Sequence, residues 1–361
     1  MLRIAGTVIG VLIVCCATVM AVLYNRSELE PEVWVPAPLP KLNGVYTPTG
    51  LLNDASFVPF EGRLGPEDIA RGPDGKFYTG LEDGSVVRFG ASADSVVEPV
   101  INTGGRVLGL QFDRNGNLVM ADAVHGLLQL SPEGTLSTLT DHVDGQKLRY
   151  VDDLDIAGDG TIWFSDASMR FGYKDTAMDF IEASATGRLL SFTPATGETR
   201  VHLRDLFFAN GVAVGPQDRF VLVSETGTGR IHRLWLRGPQ SGQSDLFHAG
   251  LPGNPDNLSF NGSDMFWVAL PALRDRDVES IAGNLFLRRL LGGLPIEHVP
   301  IREPVGFVIG LDPDGQVVHC LLSRDDTFHT ITSVNQWGKN LYLGSLAMSH
   351  MAIVAAPDLQ R

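Results

Sequence analysis

The sequence predicts an all-β fold, a six-bladed β-propeller, and three observations favour it. Glycine makes up 40 of the 361 residues, well above a usual share of roughly 7%. One unit recurs along the chain: an apolar strand, a short turn rich in Asp-Gly or Asn-Gly, and a second apolar strand. Long stretches with helical periodicity are scarce. Asp-Gly and Asn-Gly supply the positive φ that tight hairpin turns need, so the glycine excess is typical of many short strands joined by turns.

Six copies of the repeated unit are visible. They lie at residues 68–89, 108–130, 154–168, 212–236, 258–270 and 331–346. Their turn positions are Gly75, Gly116, Gly160, Asp218, Gly262 and Gly338, at intervals of 41, 44, 58, 44 and 76 residues. A four-stranded propeller blade occupies about 40–45 residues. The spacing therefore predicts six blades with insertions in the two long intervals, and a strand from residues 45–60 that completes the last blade and closes the ring.

One helix-like segment, Asp277 to Leu291, lies in the longest interval. Its apolar side is formed by Ile281, Leu285, Leu287, Leu290 and Leu291. Two interpretations are open. The segment is either a short helical insertion that caps one end of the channel, or a substrate lid or membrane-surface contact. Arg288 and Arg289 stand beside the apolar residues, which is the composition expected of a helix at a membrane surface.

The N-terminal residues predict a membrane anchor. Ile4 to Tyr24 is a run of 21 uncharged residues, long enough to span a bilayer. A cleaved signal peptide would have an apolar core of about 7–15 residues followed by a small-residue cleavage site, and no such pattern is present. We expect a transmembrane signal anchor at 1–26, a Pro-rich stalk at 27–44 and the propeller at 45–361.

The charges indicate the orientation and exclude one class of partner. Arg3 and the α-amino group precede the apolar run, and Arg26 follows it. The positive-inside rule then favours a propeller on the non-cytoplasmic side, in a periplasm, a lumen or the cell exterior. The chain has 28 Lys and Arg against 42 Asp and Glu, a net charge of −14. Nucleic acid is excluded as a partner, since its phosphates need a basic face.

Cys320 is the only cysteine outside the apolar run, so the propeller has no internal disulfide.

Polar residues recur just before the first strand of successive repeats. They are Glu67 in GPEDI, Asp152 and Asp153 in YVDDLDI, Asn210 in FANGVAV, and Asp256 and Asn257 in NPDNLSF. The innermost strand of each propeller blade faces the central channel, so residues at equivalent positions converge near the axis. Carboxylate and amide oxygens are the ligands of Ca²⁺, whereas Zn²⁺ prefers His or Cys. The pattern predicts a calcium site.

These segments resemble the strictosidine synthase-like proteins, and within them the adipocyte plasma membrane-associated protein group. The resemblance covers residues 45 to 355 and rests on GPEDI, GRVLGLQF, GNLVMADAVHGL, VDDLDI, FANGVAV, PDNLSF and NLYLGS. The wider superfamily includes gluconolactonases and paraoxonases, which are six-bladed propellers with a central Ca²⁺. By this resemblance, Glu67, Asn210 and Asp256 match metal ligands and Asn257 an accessory ligand. Asp152 stands where relatives have Asn, which adds a negative charge.

The resemblance implies a membrane-anchored, Ca²⁺-dependent hydrolase of small esters or lactones, of the arylesterase or lactonase type. Asp256 is a candidate base or nucleophile as well as a ligand, and His125 and His329 are alternative bases. Two other functions stay open. One is a non-catalytic propeller that binds a ligand or protein partner. The other is a strictosidine synthase-type lyase, whose catalytic Glu has no counterpart in FWVALPAL at 266–273.

Overall fold

Most of the regular structure is antiparallel β-sheet. The computed structural model describes residues 2–296, 303–324 and 327–357. Within them, 26 strands form six four-stranded sheets and one two-stranded hairpin. The predicted six-bladed β-propeller is confirmed, and each four-stranded sheet is one blade.

The strands of each blade are consecutive in the chain, apart from the first strand, β1. The N-terminal strand is β1 (Ser56–Pro59). Blade 1 consists of β2 (Ala70–Arg71), β3 (Phe77–Gly80), β4 (Ser85–Phe89) and β5 (Glu98–Asn102). Blade 2 consists of β6 (Val107–Phe112), β7 (Leu118–Asp122), β8 (Gly126–Leu130) and β9 (Leu136–Thr140). The hairpin consists of β10 (His142–Val143) and β11 (Gln146–Lys147).

The remaining blades continue in the same order. Blade 3 consists of β12 (Val151–Ile156), β13 (Ile162–Asp166), β14 (Gly187–Thr193) and β15 (Glu198–Leu206). Blade 4 consists of β16 (Ala209–Val214), β17 (Phe220–Glu225), β18 (Arg230–Trp235) and β19 (Ser244–His248). Blade 5 consists of β20 (Leu258–Phe260), β21 (Phe266–Ala269), β22 (Gly306–Leu311) and β23 (Val317–Ser323). Blade 6 consists of β24 (Ile331–Trp337), β25 (Asn340–Ser345), β26 (His350–Ala355) and β1.

The ring closes by pairing its two ends. Strand β1 pairs antiparallel with β26, from Ser56 opposite Ile353 to Pro59 opposite His350. Blade 6 is thus built from three C-terminal strands and one N-terminal strand, as the sequence predicted. Because of this pairing, blade 6 has its full set of four strands and links the N-terminal and C-terminal ends of the propeller.

The hydrophobic core is divided among the interfaces between blades. Each of six buried clusters in the described part of the chain joins two neighbouring blades. For example, Phe164 of blade 3 shares a cluster with Val119 of blade 2, and Phe77 of blade 1 shares one with Met351 of blade 6. A blade is covered on both faces, so its inner strands are continuous apolar runs, as in any sheet buried on two sides.

The first strands of the blades come very close together around the channel. In order, β2, β6, β12, β16, β20 and β24 contact one another in turn. The approach requires glycine. A Cβ on Gly211 in β16 would come within 2.6 Å of the Leu258 nitrogen and 2.7 Å of the Asn257 Cα. A Cβ on Gly344 in β25 would lie 2.7 Å from the Pro66 carbonyl oxygen.

Four helices complete the regular structure, apart from short 3₁₀ turns. They are α1 (Leu2–Arg26), α2 (Thr176–Glu182), α3 (Arg276–Ser280) and α4 (Leu285–Leu291). The 3₁₀ turns are Gly44–Tyr46, Leu51–Asp54, Tyr173–Asp175 and Pro216–Asp218. The described residues of 2–36, 174–184 and 275–296 form a compact helical unit, and the other described residues form the propeller unit.

The insertion at 277–291 differs from the single helix that its apolar pattern suggested. It forms two short helices, α3 and α4, separated at Gly283. The Asn284 side chain accepts a hydrogen bond of 3.0 Å from the Leu287 N–H, which starts α4 as a separate helix. A glycine followed by an N-capping asparagine favours a break over a continuous helix. The other long interval also carries an insertion, as the repeat spacing predicted, and this insertion contains the helix α2.

Helix α1 fits a signal anchor by length and composition. Among the described residues it is the one helix that could cross a membrane, from Val8 to Arg26. The residues of that stretch are exposed apart from Leu23 and Tyr24, which are half-buried. Residues 27–43 contain neither helix nor strand. The stalk at 27–44 and the domain boundaries drawn from the sequence stay predictions.

Replacing Gly211 with alanine tests the close approach of blades 4 and 5. We expect G211A to lower the free energy of unfolding by about 1–3 kcal/mol, the usual cost of overpacking a tight core. G172A is the matched control, because the Cβ position of Gly172 is open. Urea denaturation of the full-length chain in mild detergent measures both. Equal stability of the two variants would contradict this packing.

Candidate metal centre

The predicted ligands all lie at the same end of the first strands. Asp152 is the second residue of β12 and Asn210 the second residue of β16. Glu67 and Asp256 lie just before β2 and β20. These first strands contact one another around the channel. Four blades therefore deliver one polar side chain each to one end of the channel.

Irregular strand pairing orients these positions. The pairing of the first strand with the second shifts register between Val151 and Leu154 in blade 3 and between Ala209 and Val212 in blade 4. The same shift occurs in blades 2 and 6. A β-bulge adds a residue to one strand and re-aims its side chains. Asp152 and Asn210 lie inside these bulges, which turn them out of the regular alternation.

Three carboxylates converge at this end of the channel. One oxygen from each of Glu67, Asp152 and Asp256 lies within 4.8 Å of the others. The three residues are only 2, 3 and 5% exposed. Asn210 hydrogen-bonds to the Asp256 carboxylate, and Asn257 places its Nδ2 3.4 and 3.5 Å from the two Glu67 carboxylate oxygens. We call these five residues the carboxylate ring.

Burial and mutual repulsion raise the pKa values of the carboxyls in the carboxylate ring. Burial raises the pKa of Glu67 well above its usual range, and the charges of Asp256 and Asp152 raise it further. Burial and the charge of Asp256 likewise raise the pKa of Asp152. Burial raises the pKa of Asp256 from 3.8 to about 7, opposed by hydrogen bonds from Asn210 and the Asn257 N–H. Three ionised carboxylates at this separation require a positive charge among them.

The oxygen atoms of the ring fit a hard divalent cation. The oxygens Asn210 Oδ1, Asp256 Oδ1 and Asn257 Oδ1 are buried without a hydrogen-bond donor in the described structure. A buried acceptor without a partner costs about 1–3 kcal/mol. The acidic group contains no His or Cys among the described residues, so its donors are those of Ca²⁺ and not those of Zn²⁺. Whether these five residues bind a cation stays a prediction.

Buried acids at the ends of the second strands hold the ring in place. Asp166, the last residue of β13, accepts N–H bonds from Arg149 at 3.2 Å and Tyr150 at 2.8 Å, and it is ion-paired with buried Arg188. These bonds fix the segment that leads into β12 and so position Asp152.

Glu225 holds the equivalent segment of blade 4. As the last residue of β17, it accepts a bond of 2.9 Å from the Phe207 N–H. The Thr228 hydroxyl and His232 Nε2 lie 2.6 and 2.8 Å from its other oxygen. Its carboxylate is therefore fully engaged in holding the loop before Asn210.

Arg106 is a charged residue of the site that the sequence pattern did not single out. It is buried beside the ring, and its Nη2 donates to the Gly65 carbonyl at 2.9 Å. Its positive charge lowers the pKa of both Glu67 and Asp152, against the effect of burial. Its place just before β6 was the available signal, because that is where the other blades carry their ligands. Blade 2 thus places a positively charged side chain, Arg106, at the position where the other blades place carboxylates or amides.

A second polar layer lies one residue further along the strands. Asp68 accepts bonds from Leu110 N–H at 3.2 Å and Asn335 Nδ2 at 2.9 Å. Asp153 accepts bonds from Leu154 N–H at 2.8 Å and Val212 N–H at 2.7 Å. Both line a cavity of about 250 Å³ in the channel. Their oxygens tie neighbouring blades together.

The two histidines proposed as bases lie outside the acidic cluster. His125 is exposed in the turn after β7, where its backbone N–H donates to Asp122 Oδ1 at 2.9 Å. His329 is half-buried before β24, with its Nδ1 2.8 Å from the Thr330 hydroxyl. Both lie at the end of the strands that carries the ring, because Asp122 pairs with Val107 and His329 precedes Ile331. Their catalytic role stays a prediction.

The fold and the ring define a six-bladed propeller with an acidic channel site. The chain belongs to the strictosidine synthase-like family. The family described as strictosidine synthase matches residues 152–239, and the strictosidine synthase-like N-terminal family matches residues 44–89. Protein strictosidine synthase-like 4 of Arabidopsis thaliana is 35% identical over 345 residues, which cover 91% of this chain and 90% of that protein. The adipocyte plasma membrane-associated protein of Danio rerio is 30% identical over 367 residues, covering 96% and 88%.

Solved structures share the fold at low identity. A gluconolactonase from Xanthomonas campestris has a TM-score of 0.61 at 17% identity and covers 92% of this chain and 100% of that one. The calcium-binding protein regucalcin from Agrobacterium tumefaciens has a TM-score of 0.56 at 14% identity, covering 84% and 96%. The resemblance predicted from the sequence is confirmed at the level of family and fold.

The raised pKa values predict how stability depends on pH. In the unfolded chain the ring carboxyls ionise near pH 4, whereas the folded, metal-free protein keeps protons on them to higher pH, on Asp256 to about pH 7. The folded state then binds more protons than the unfolded state, so stability falls as pH rises from about 4 to 7. We expect the melting temperature of the EDTA-treated chain to fall across this window. Saturating CaCl₂ should reduce the fall, and identical pH profiles with and without calcium would contradict a cation site.

Proposed function

We propose that this chain is a membrane-anchored, Ca²⁺-dependent hydrolase of small esters or lactones that acts at the carboxylate ring. One observation carries the proposal: three buried carboxylates lie within 4.8 Å of one another, beside amide and carboxylate oxygens that have no donor in the described structure. A protein gains no stability from such a cluster by itself, because each buried charge is costly. A bound cation would offset the cost of burying these charges.

Charge balance supports a divalent cation in this ring. Glu67, Asp152 and Asp256 carry three negative charges when ionised, and Arg106 is a buried positive charge beside them. A cation of charge +2 makes the sum zero. The resemblance predicts an uncharged Asn at position 152. The positive charge of Arg106 balances the negative charge that Asp152 adds there.

The chain's own residues would bind and orient a substrate at this centre. A bound Ca²⁺ polarises a carbonyl oxygen and orients a water molecule or carboxylate for attack. Asp256 is placed to receive a proton, because its pKa lies near neutrality when no cation is bound. The Asn210 amide fixes the orientation of that carboxylate. The low exposure of the ring excludes bulk water, which strengthens each of these interactions.

The proposal includes membrane attachment through α1. The stretch of 19 residues from Val8 to Arg26 is predominantly apolar and mostly exposed, and a relative from Danio rerio carries the name adipocyte plasma membrane-associated protein. The propeller is placed on the non-cytoplasmic side, since Arg3 precedes the apolar run.

Substitution of Asp256 tests the hydrolase. We expect the full-length chain to hydrolyse members of an aryl-ester and lactone panel in CaCl₂ and to lose this activity in EDTA. D256N should lower turnover at least about 100-fold, the smallest usual contribution of an acid–base residue. D245N is the control: Asp245 lies on the outer strand β19, bound to Arg233 at 2.9 Å, and its loss should leave turnover unchanged. Calcium-dependent melting without any turnover would instead favour a ligand-binding propeller.

Substitution of Asp152 separates its two electrostatic effects. We expect D152N to weaken Ca²⁺ binding about tenfold or more, because ligand charge sets calcium affinity. The same change should raise the melting temperature of the metal-free chain at pH 8, since it removes one of three repelling charges. Calorimetric titration and melting curves measure the two effects, with D245N again as control. Unchanged Ca²⁺ affinity, or a lower melting temperature of the metal-free chain, would contradict the assignment of Asp152 to the ring.

A further inference from the structure

Helix α4 presents large apolar side chains to solvent. Phe286 is 57% exposed, and Leu285 and Leu294 are exposed beside it. The same helix buries Arg288 on its opposite side. An apolar face on one side and a firmly attached face on the other are typical of a helix that docks onto a further apolar phase.

The exposed face is attached to the end of α1. The Phe286 ring stacks on Tyr24 of α1 with centroids 5.4 Å apart and an interplanar angle of 24°. The Arg289 guanidinium lies 4.7 Å from the centre of the same Tyr24 ring. Gly293, just after α4, packs so closely that a Cβ there would overlap the Leu23 carbonyl. The position of α4 along the axis of α1 is therefore fixed.

Buried Arg288 makes this attachment rigid. Its Nε donates to the Ile181 carbonyl at 2.8 Å and its Nη1 to the Ala282 carbonyl at 2.8 Å. The remaining donors bind the carbonyls of Glu32 and Glu182. One guanidinium thus joins the segment after α1, the end of α2 and the loop before α4.

The depth of Tyr24 sets the depth of α4 in a membrane. Tyr24 lies two residues before the end of the apolar stretch at Arg26, about 3 Å along the helix axis. A residue at that position of a spanning helix lies in the headgroup region, where Tyr and other aromatic side chains concentrate. The rings and cation packed on Tyr24 must lie at the same depth.

We propose that α4 is an interfacial helix that inserts Leu285, Phe286 and Leu294 into the bilayer crossed by α1. The inference rests on the membrane attachment in the proposed function. Its partner is the phospholipid surface itself, argued from the continuity of this face with the spanning helix. Exposed Glu28 offsets part of the positive charge of Arg26, so the apolar contact supplies most of the attraction.

A spin label at residue 286 measures this contact. The full-length chain, with C15A and C16A to remove the reactive thiols of α1, carries F286C labelled with a nitroxide in vesicles of phosphatidylcholine and phosphatidylglycerol. Cys320 is buried and stays unlabelled. We expect high collision rates with oxygen, low rates with a water-soluble nickel complex, and a depth of about 5–10 Å below the phosphates. V96C is the matched control, because Val96 is apolar and 75% exposed on the propeller unit.

The outcomes separate this inference from the proposed function. A label at 286 as accessible to nickel as the label at 96 would overturn the inference. A label shielded from both oxygen and nickel would do the same, because a protein partner or a second copy would then cover α4. Alkaline carbonate extraction tests the premise: release of the chain removes both the anchor and the inference. Retention of the chain with an aqueous label removes the inference alone.

Discussion

The pairing of β1 with β26 is the constraint on which the rest of the propeller depends. It joins residues about 300 positions apart in the chain, Ser56 with Ile353 among them. No blade can bury both of its faces without neighbours, and the six inter-blade clusters form only when every blade has one on each side. The closed ring also brings the first strands together around one axis. The site is a consequence of closure.

Closure concentrates charge where water is scarce. Glu67 and Asp256 are separated by 189 residues in the chain, yet their carboxylate oxygens lie within 4.8 Å. Burial raises the pKa of both carboxyls, and the charges of Asp256 and Asp152 raise that of Glu67 further. Buried Arg106 opposes this effect on Glu67. The second layer is different, because the Asp68 and Asp153 oxygens accept backbone and amide N–H groups. The two adjacent acidic layers thus differ: oxygens of the carboxylate ring lack donors in the described structure, whereas those of the second layer brace the strands.

The helical unit is stabilised differently from the propeller unit, which has a large hydrophobic core. Its interior is small, and Arg288 contributes to its cohesion by binding backbone carbonyls from three segments. Many of its exposed apolar residues lie on α1, and Leu285 and Phe286 lie on α4, where a water-facing surface would place polar residues. These exposed side chains support the membrane attachment that we propose for this unit.

The sequence by itself determined the six blades, the closing strand and the apolar N-terminal helix, and it predicted all five positions of the carboxylate ring. These follow from local signals: repeat spacing, turn glycines, and polar residues at the start of each first strand. Only the tertiary structure decided which of these side chains meet, because the distance between blades depends on closure and on bulges that leave no mark in residue type. It placed Arg106 beside the acids and left His125 and His329 outside the cluster. It also set α4 against Tyr24, since side-chain packing between segments far apart in the chain decides this contact. The break between α3 and α4, by contrast, follows the local signal of Gly283 before the N-capping Asn284.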